Sequence, residues 1–186
     1  MKHIYLAGVF TLGILLAGCF SDDGISNRYV NLQITDALVF ENDQVYSVGD
    51  TIYIDLNFNR YLDEAGFSNK LDIYESSGSD SFQYEISLEK FSELSNGFRA
   101  IVVSPEFLFA EKGTIDEFGR TLAQLNNDTS QYESRVGLIL REAGRFNFDF
   151  RFLYIESSDY LEDKVQIYIE HNFSNSDGIF EFTVNE

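Results

Sequence analysis

Cysteine is nearly absent from this sequence: Cys19 is the only one in 186 residues. One cysteine excludes intramolecular disulfides, and with only two histidines it excludes a zinc site built from cysteine and histidine. His3 lies in the extreme N-terminal segment, which leaves His171 as the only histidine to act as base in a nucleophilic triad. Tryptophan is missing, methionine and proline occur once each, and no glycine-rich phosphate loop is present. Positive charge is also scarce, with 13 Lys and Arg against 31 Asp and Glu. So acidic a chain repels phosphate instead of releasing counterions from it, which argues against nucleic acid and anionic head groups as partners. Long apolar runs are limited to one, residues 4–17. It is shorter than the roughly 20 residues a membrane-spanning helix needs.

That run carries the first positive information. Met1-Lys2-His3 is basic, and from Ile4 to Ala17 only Thr11 is clearly polar. A charged start followed by an apolar middle is the pattern of a secretory signal peptide. The buried helix of a cytosolic domain would have a polar face and a cap, and this run has neither. Leu16-Ala17-Gly18-Cys19 resembles the lipobox of bacterial lipoproteins, whose cysteine becomes the lipidated first residue of the mature chain. The resemblance implies that residues 1–18 are removed and that Cys19 carries the lipid. A buried acyl chain contributes about 0.8 kcal/mol per methylene and a single chain holds only marginally. The three chains that bacterial lipoproteins carry would hold permanently.

Phe20-Ser21-Asp22-Asp23-Gly24 resembles the acidic export signal of Bacteroidota surface lipoproteins, in its flavobacterial form. Ser21, Asp22 and Asp23 are therefore expected to direct the anchor to the outer face of the outer membrane. As plain chemistry, the same residues also make a solvated linker. Residues 19–27 form the tether and residues 28–186 the folded domain. Loss of Lys2 leaves 12 basic against 31 acidic side chains.

Phenylalanine and tyrosine are abundant, at 18 and 11, and suit a β-rich core. Alternation of period 2 then recurs along the chain, the mark of half-buried strands. Val30, Leu32 and Ile34 alternate with polar residues; over 51–59, Ile52, Ile54, Leu56 and Phe58 face one way. Leu71 and Ile73, then Phe82 to Leu88, predict a hairpin across the polar turn 76–80. Phe98 to Val103 is more continuously apolar and predicts a central strand. Val136 to Leu140 precedes a turn at Glu142-Ala143-Gly144, after which Phe146, Phe148, Phe150, Phe152 and Tyr154 alternate as one long strand with an inward aromatic face. Val165 to Ile169 and Phe180 to Val184 supply the last two. Residues 105–133 have no sustained period and are expected to form a long irregular segment, with a short helix over 116–125.

These patterns predict an all-β domain, a single antiparallel β-sandwich of about eight or nine strands. The phrases "YSVGDTIYIDLNF" (46–58) and "REAGRFNFDF" (141–150) resemble strand openings in the immunoglobulin-like domains of Bacteroidota surface lipoproteins. The resemblance implies an immunoglobulin-like fold and a cell-surface location.

Chemistry-bearing constellations are few. His171 shares the inward parity of Val165, Ile167 and Ile169, so it reads as a structural histidine at a strand end. Carboxylates are too numerous for any pair to stand out as a glycosidase site. Calcium would draw oxygen ligands from acidic loops; Glu41-Asn42-Asp43 and Asn126-Asn127-Asp128 are the candidates, and both serve equally as turns. Asp50-Thr51-Ile52 matches a short O-glycosylation pattern of Bacteroidota, with Thr51 as acceptor. No cofactor is expected beyond the lipid on Cys19. The sequence thus predicts a non-catalytic surface lipoprotein, an accessory subunit docked on an outer-membrane β-barrel complex. The alternative is a glycan- or ligand-binding module that presents outward tyrosines, among them Tyr53, Tyr74, Tyr160 and Tyr168.

Overall fold

The structure, a computed structural model, describes residues 28–40, 45–159 and 161–186. Cys19, Ser21, Asp22, Asp23, the 41–43 loop and Tyr160 lie outside the described residues. No described helix is long and apolar enough to cross a membrane.

The described residues are all-β, with two large sheets sharing one aromatic core and a separate two-stranded ribbon of Tyr61–Leu62 and Leu71–Asp72. The strands are β1 (Tyr29–Thr35), β2 (Leu38–Phe40), β3 (Val45–Ser47), β4 (Thr51–Asn59), β5 (Tyr61–Leu62), β6 (Leu71–Asp72), β7 (Ser81–Tyr84), β8 (Leu88–Ser92) and β9 (Gly97–Ile101). They continue with β10 (Leu108–Lys112), β11 (Thr114–Ile115), β12 (Thr121–Asn126), β13 (Gln131–Ile139), β14 (Gly144–Asp149), β15 (Tyr154–Ser157), β16 (Gln166–Asn172) and β17 (Ile179–Asn185). The first sheet has the order β1-β16-β15-β7-β12-β13-β4-β2, with β10 on β13 and β11 on β12; the second has the order β3-β17-β14-β8-β9. Among the described residues there is one short α-helix, α1 (Ile73–Ser77), capped by Asp72 and ended by Gly78, and one 3-10 turn over Pro105–Phe107.

The expectation of eight or nine antiparallel strands needs two corrections. Many strands are short pieces broken by bulges and turns, and two edge pairings, β1 with β16 and β3 with β17, are parallel. Parallel edges arise because β1 and β3 are each far in sequence from their partners, so no hairpin sets their direction.

Strand β4 matches its prediction residue for residue: Ile52, Ile54, Leu56 and Phe58 are buried beneath an outward polar row. It pairs along its whole length with β13, from Thr51 opposite Ile139 to Asn59 opposite Gln131. The other edge of β13 forks. Its first residues pair with β12, and beyond them β10 lies against it. The chain then crosses at Gly113, and β11 continues against β12. Residues 105–133 are therefore ordered strands and turns, filling the gap where β12 and β13 splay. The expected helix over 116–125 is instead a tight turn, with Gly119 N–H donating to Asp116 O at 3.0 Å, followed by β12. Gly119 sits at φ +84, a conformation that stops a helix.

Three further expectations change. Leu71 pairs with β5, Ile73 begins α1, and β7 pairs with β12 and β15, so the hairpin over 71–88 does not form. Strand β9 is the outer edge of the second sheet, not its centre, with Val102 just beyond it 97% exposed. Continuous apolarity marks a strand buried on both faces only when neighbours cover it, and β9 has a neighbour on one side alone. The long strand over 146–154 is broken: β14 ends at Asp149 and β15 begins at Tyr154 in the other sheet.

Aromatic rings fill the space between the sheets. Phe40 of the first sheet meets Phe148 and Phe180 of the second at 5.9 and 4.4 Å between centroids. Phe58, Phe82 and Tyr132 form a triangle with centroids 4.8–5.7 Å apart. Two buried phenols are paired within it: Tyr132 donates to Ser79 O at 2.8 Å, and Tyr84 bonds Ser134 Oγ at 2.7 Å. Such pairing offsets the cost of taking a phenol out of water.

Candidate functional site

The break between β14 and β15 builds the most distinctive surface feature. Asp149 accepts from the backbone N–H and the guanidinium of Arg151, Phe150 N–H donates to Gly178 O at 2.8 Å, and Leu153 N–H donates to Phe150 O at 3.2 Å. Those bonds fold residues 150–153 into a turn that carries the chain from one sheet to the other. The Arg151 guanidinium holds the Asp149 carboxyl below the usual carboxylate range. Phe150 and Leu153 stay buried, whereas Phe152 is thrown out to 76% exposure and Tyr154 to 56%.

These two rings border a cleft of about 440 Å³ on the outer face of the first sheet. Gln83 and Glu85 line it from β7 and the residue beyond, Glu156 from β15, and Tyr168 from β16. Arg120 and Asp149 also line it. Strand pairing fixes the arrangement, since Tyr168 lies directly opposite Glu156 and Glu156 directly opposite Gln83. Directly paired residues hold their Cβ atoms about 5 Å apart, so the ring, carboxylate and amide form one row. Gln83 donates its side-chain amide to Glu156. Arg120 is paired with Asp116 at 2.7 Å and Asp149 with Arg151 at 2.6 Å, while Glu85 and Glu156 enter no ion pair among the described residues.

His171 is buried at 2% exposure, as its parity predicted. Its Nε2 accepts the backbone N–H groups of Ala37 and Leu38, both at 3.0 Å, which joins the end of β16 to the start of β2. Accepting two donors requires an unprotonated Nε2, and burial lowers the pKa to about 4. The side chain braces the two strands. Because the folded-state pKa lies below the unfolded value near 6.5, His171 contributes stability that is full above pH 6.5. That contribution is lost as pH falls toward 4. Melting temperature measured from pH 7 to pH 4 should fall by the equivalent of about 2–3 kcal/mol. A His171→Gln variant should give a flatter profile over that window; an equally steep one would contradict the assignment.

The remaining sequence candidates are dispersed. Thr51 opens β4 and is half-buried opposite Ile139. Asn126-Asn127-Asp128 is the turn between β12 and β13, where Asn126 Oδ1 accepts Asp128 N–H at 3.0 Å and Asn126 Nδ2 donates to Glu133. Among the described residues no three His, Cys, Asp or Glu side chains gather to hold a metal ion. Of the outward tyrosines, Tyr53 lies under the Arg135 guanidinium at 4.3 Å and meets Phe109 edge-on, and Tyr74 lies under Arg60 at 4.7 Å. Only Tyr168 lines the cleft. Unbroken alternation predicts Phe152 and Tyr154 inward, and the sheet crossing at 150–153 turns both outward. The Asp149/Arg151 pair that clamps the turn is the local signal that could have revealed it.

A second feature lies at the open edge of the second sheet. An apolar groove of about 360 Å³ runs between Ile101, Val103 and Phe107 on one side and Leu138 and Leu140 on the other. Val102 lines it and projects nearly fully into solvent, at 97% exposure; Leu94, in the β8–β9 turn at the other end of β9, is 99% exposed.

No protein-family model matches the chain, and no curated protein matches it. Among solved structures it is similar to the ASH / PapD-like domain of human CEP192 (PapD-like domain 7), at 8% sequence identity and a TM-score of 0.31. That likeness covers 81% of this chain and 84% of the other. At so low a TM-score it carries no functional argument.

Proposed function

We propose that this chain is a non-catalytic, lipid-anchored lipoprotein of the outer membrane, facing the cell exterior, that serves as an accessory subunit of a β-barrel complex. Its attachment point is Cys19, its export signal is Ser21-Asp22-Asp23, and its folded part is an enlarged immunoglobulin-like sandwich. The observation that carries docking is the β9 edge of the second sheet, with Val102 exposed in an apolar groove at one end and Leu94 exposed in the turn at the other. An open apolar edge left uncovered invites strand pairing with any chain, and exposed apolar surface of this kind marks interaction sites. The one histidine of the mature chain is taken up as a structural acceptor, which agrees with a binding role.

Purification of the native protein in mild detergent should recover a barrel protein with it. A Val102→Asp substitution should remove that partner while shifting stability by no more than about 0.5 kcal/mol, as expected for a fully exposed site. Recovery of the chain alone at native expression would refute the docking role. The cleft beside Phe152 and Tyr154 favours a second reading, a ligand-binding module.

A further inference from the structure

We propose that the cleft on the outer face of β7, β15 and β16 binds a neutral polysaccharide. The inference rests on the ligand-binding reading and is independent of the docking edge.

Its chemistry points to sugar. Phe152 and Tyr154 keep large ring surfaces in solvent, where a core role is excluded. An aromatic face carries negative charge density, and the axial C–H groups of a pyranose ring are weakly positive, so the two surfaces stack. Around the rings stand groups suited to hydroxyls: the Gln83 amide and the Glu156 and Glu85 carboxylates, which together donate and accept. A tyrosine pair extends the face beside the cleft, with the rings of Tyr29 and Tyr168 at 5.8 Å between centroids. Cleft and tyrosine pair together form a strip of aromatic, amide and carboxylate side chains across β7, β15, β16 and β1.

Charge selects within that class. The cleft's one arginine, Arg120, is engaged by Asp116, and Asp149 is engaged by Arg151. The two carboxylates outside ion pairs leave the strip negative, in a protein whose net charge is already −18. A uronate, sulfate or phosphate group would be repelled there. An uncharged chain of hexoses or pentoses meets no such penalty.

The test uses the full chain, purified in mild detergent, in native gels containing mixed-linkage glucan, galactomannan, xylan or polygalacturonate. At least one of the three neutral polysaccharides should retard the wild-type protein, and polygalacturonate should not. Tyr154→Ala and Phe152→Ala should each weaken retardation at least tenfold with the melting temperature held within a few degrees; Val102→Asp should leave it intact. Absence of retardation by all three neutral polysaccharides overturns the proposal. Retardation unchanged in both aromatic variants, or equal for polygalacturonate, overturns it as well. Loss of a barrel partner in Val102→Asp with sugar binding retained, or the reverse, separates failure of one reading from failure of the other.

Discussion

Replacing Gly113 by alanine should destabilise the domain by about 3–5 kcal/mol, enough to remove much of the 5–15 kcal/mol typical of a folded domain. Gly113 stands at the point of the fork, where the chain leaves β13 and joins β12. Its φ is +72, which costs any residue with a side chain. Space is the larger obstacle: a Cβ there would lie 2.2 Å from the Leu122 carbonyl oxygen and 3.3 Å from that of Glu133. Both are ladder backbone atoms and neither can swing aside. Relief would require the fork to open, with loss of the β11 pairing. Urea unfolding of the variant measures the cost from the shift in midpoint. A change below about 1 kcal/mol would mean that the β10–β11 wedge is not seated as described.

Phe82→Ala should cost about 3–5 kcal/mol, the range for truncating a large buried aromatic. Phe82 is fully buried and touches Phe58 and Tyr132 edge-on. Its removal leaves a cavity between two rings, one of which is fixed by the hydrogen bond from Tyr132 to Ser79 O. With its neighbours held, the site cannot collapse, so the cavity term adds to the lost transfer energy. Phe152→Ala is the internal comparison, because at 76% exposure it should change stability by no more than about 0.5 kcal/mol. Equal costs for the two would contradict the placement of the 150–153 turn.

That pair of phenylalanines marks the boundary of what alternation can tell. Phe146, Phe148, Phe150 and Phe152 repeat at period 2, and the first three are buried as the pattern requires. The fourth is not, since alternation describes which side of a ribbon a residue occupies and says nothing of where the ribbon changes sheets. The same limit explains β9, whose apolar run reads as central but lies at an edge. It also explains the 105–133 segment, whose short strands carry too few repeats for a period to register.

Composition and alternation by themselves determined the all-β class, the inward faces of β1, β4, β16 and β17, and the buried place of His171. These follow from local chemistry, since apolar side chains at every second position can be satisfied only by a half-buried strand. Tertiary structure alone decided the sheet order, the parallel edges, the fork at Gly113 and the cleft. Each depends on partners distant in sequence: Glu156 meets Gln83, 73 residues earlier, and Nε2 of His171 meets the N–H of Ala37, 134 residues earlier. A ladder joins strands by backbone groups that every residue carries, so side-chain sequence alone leaves the choice of neighbour open.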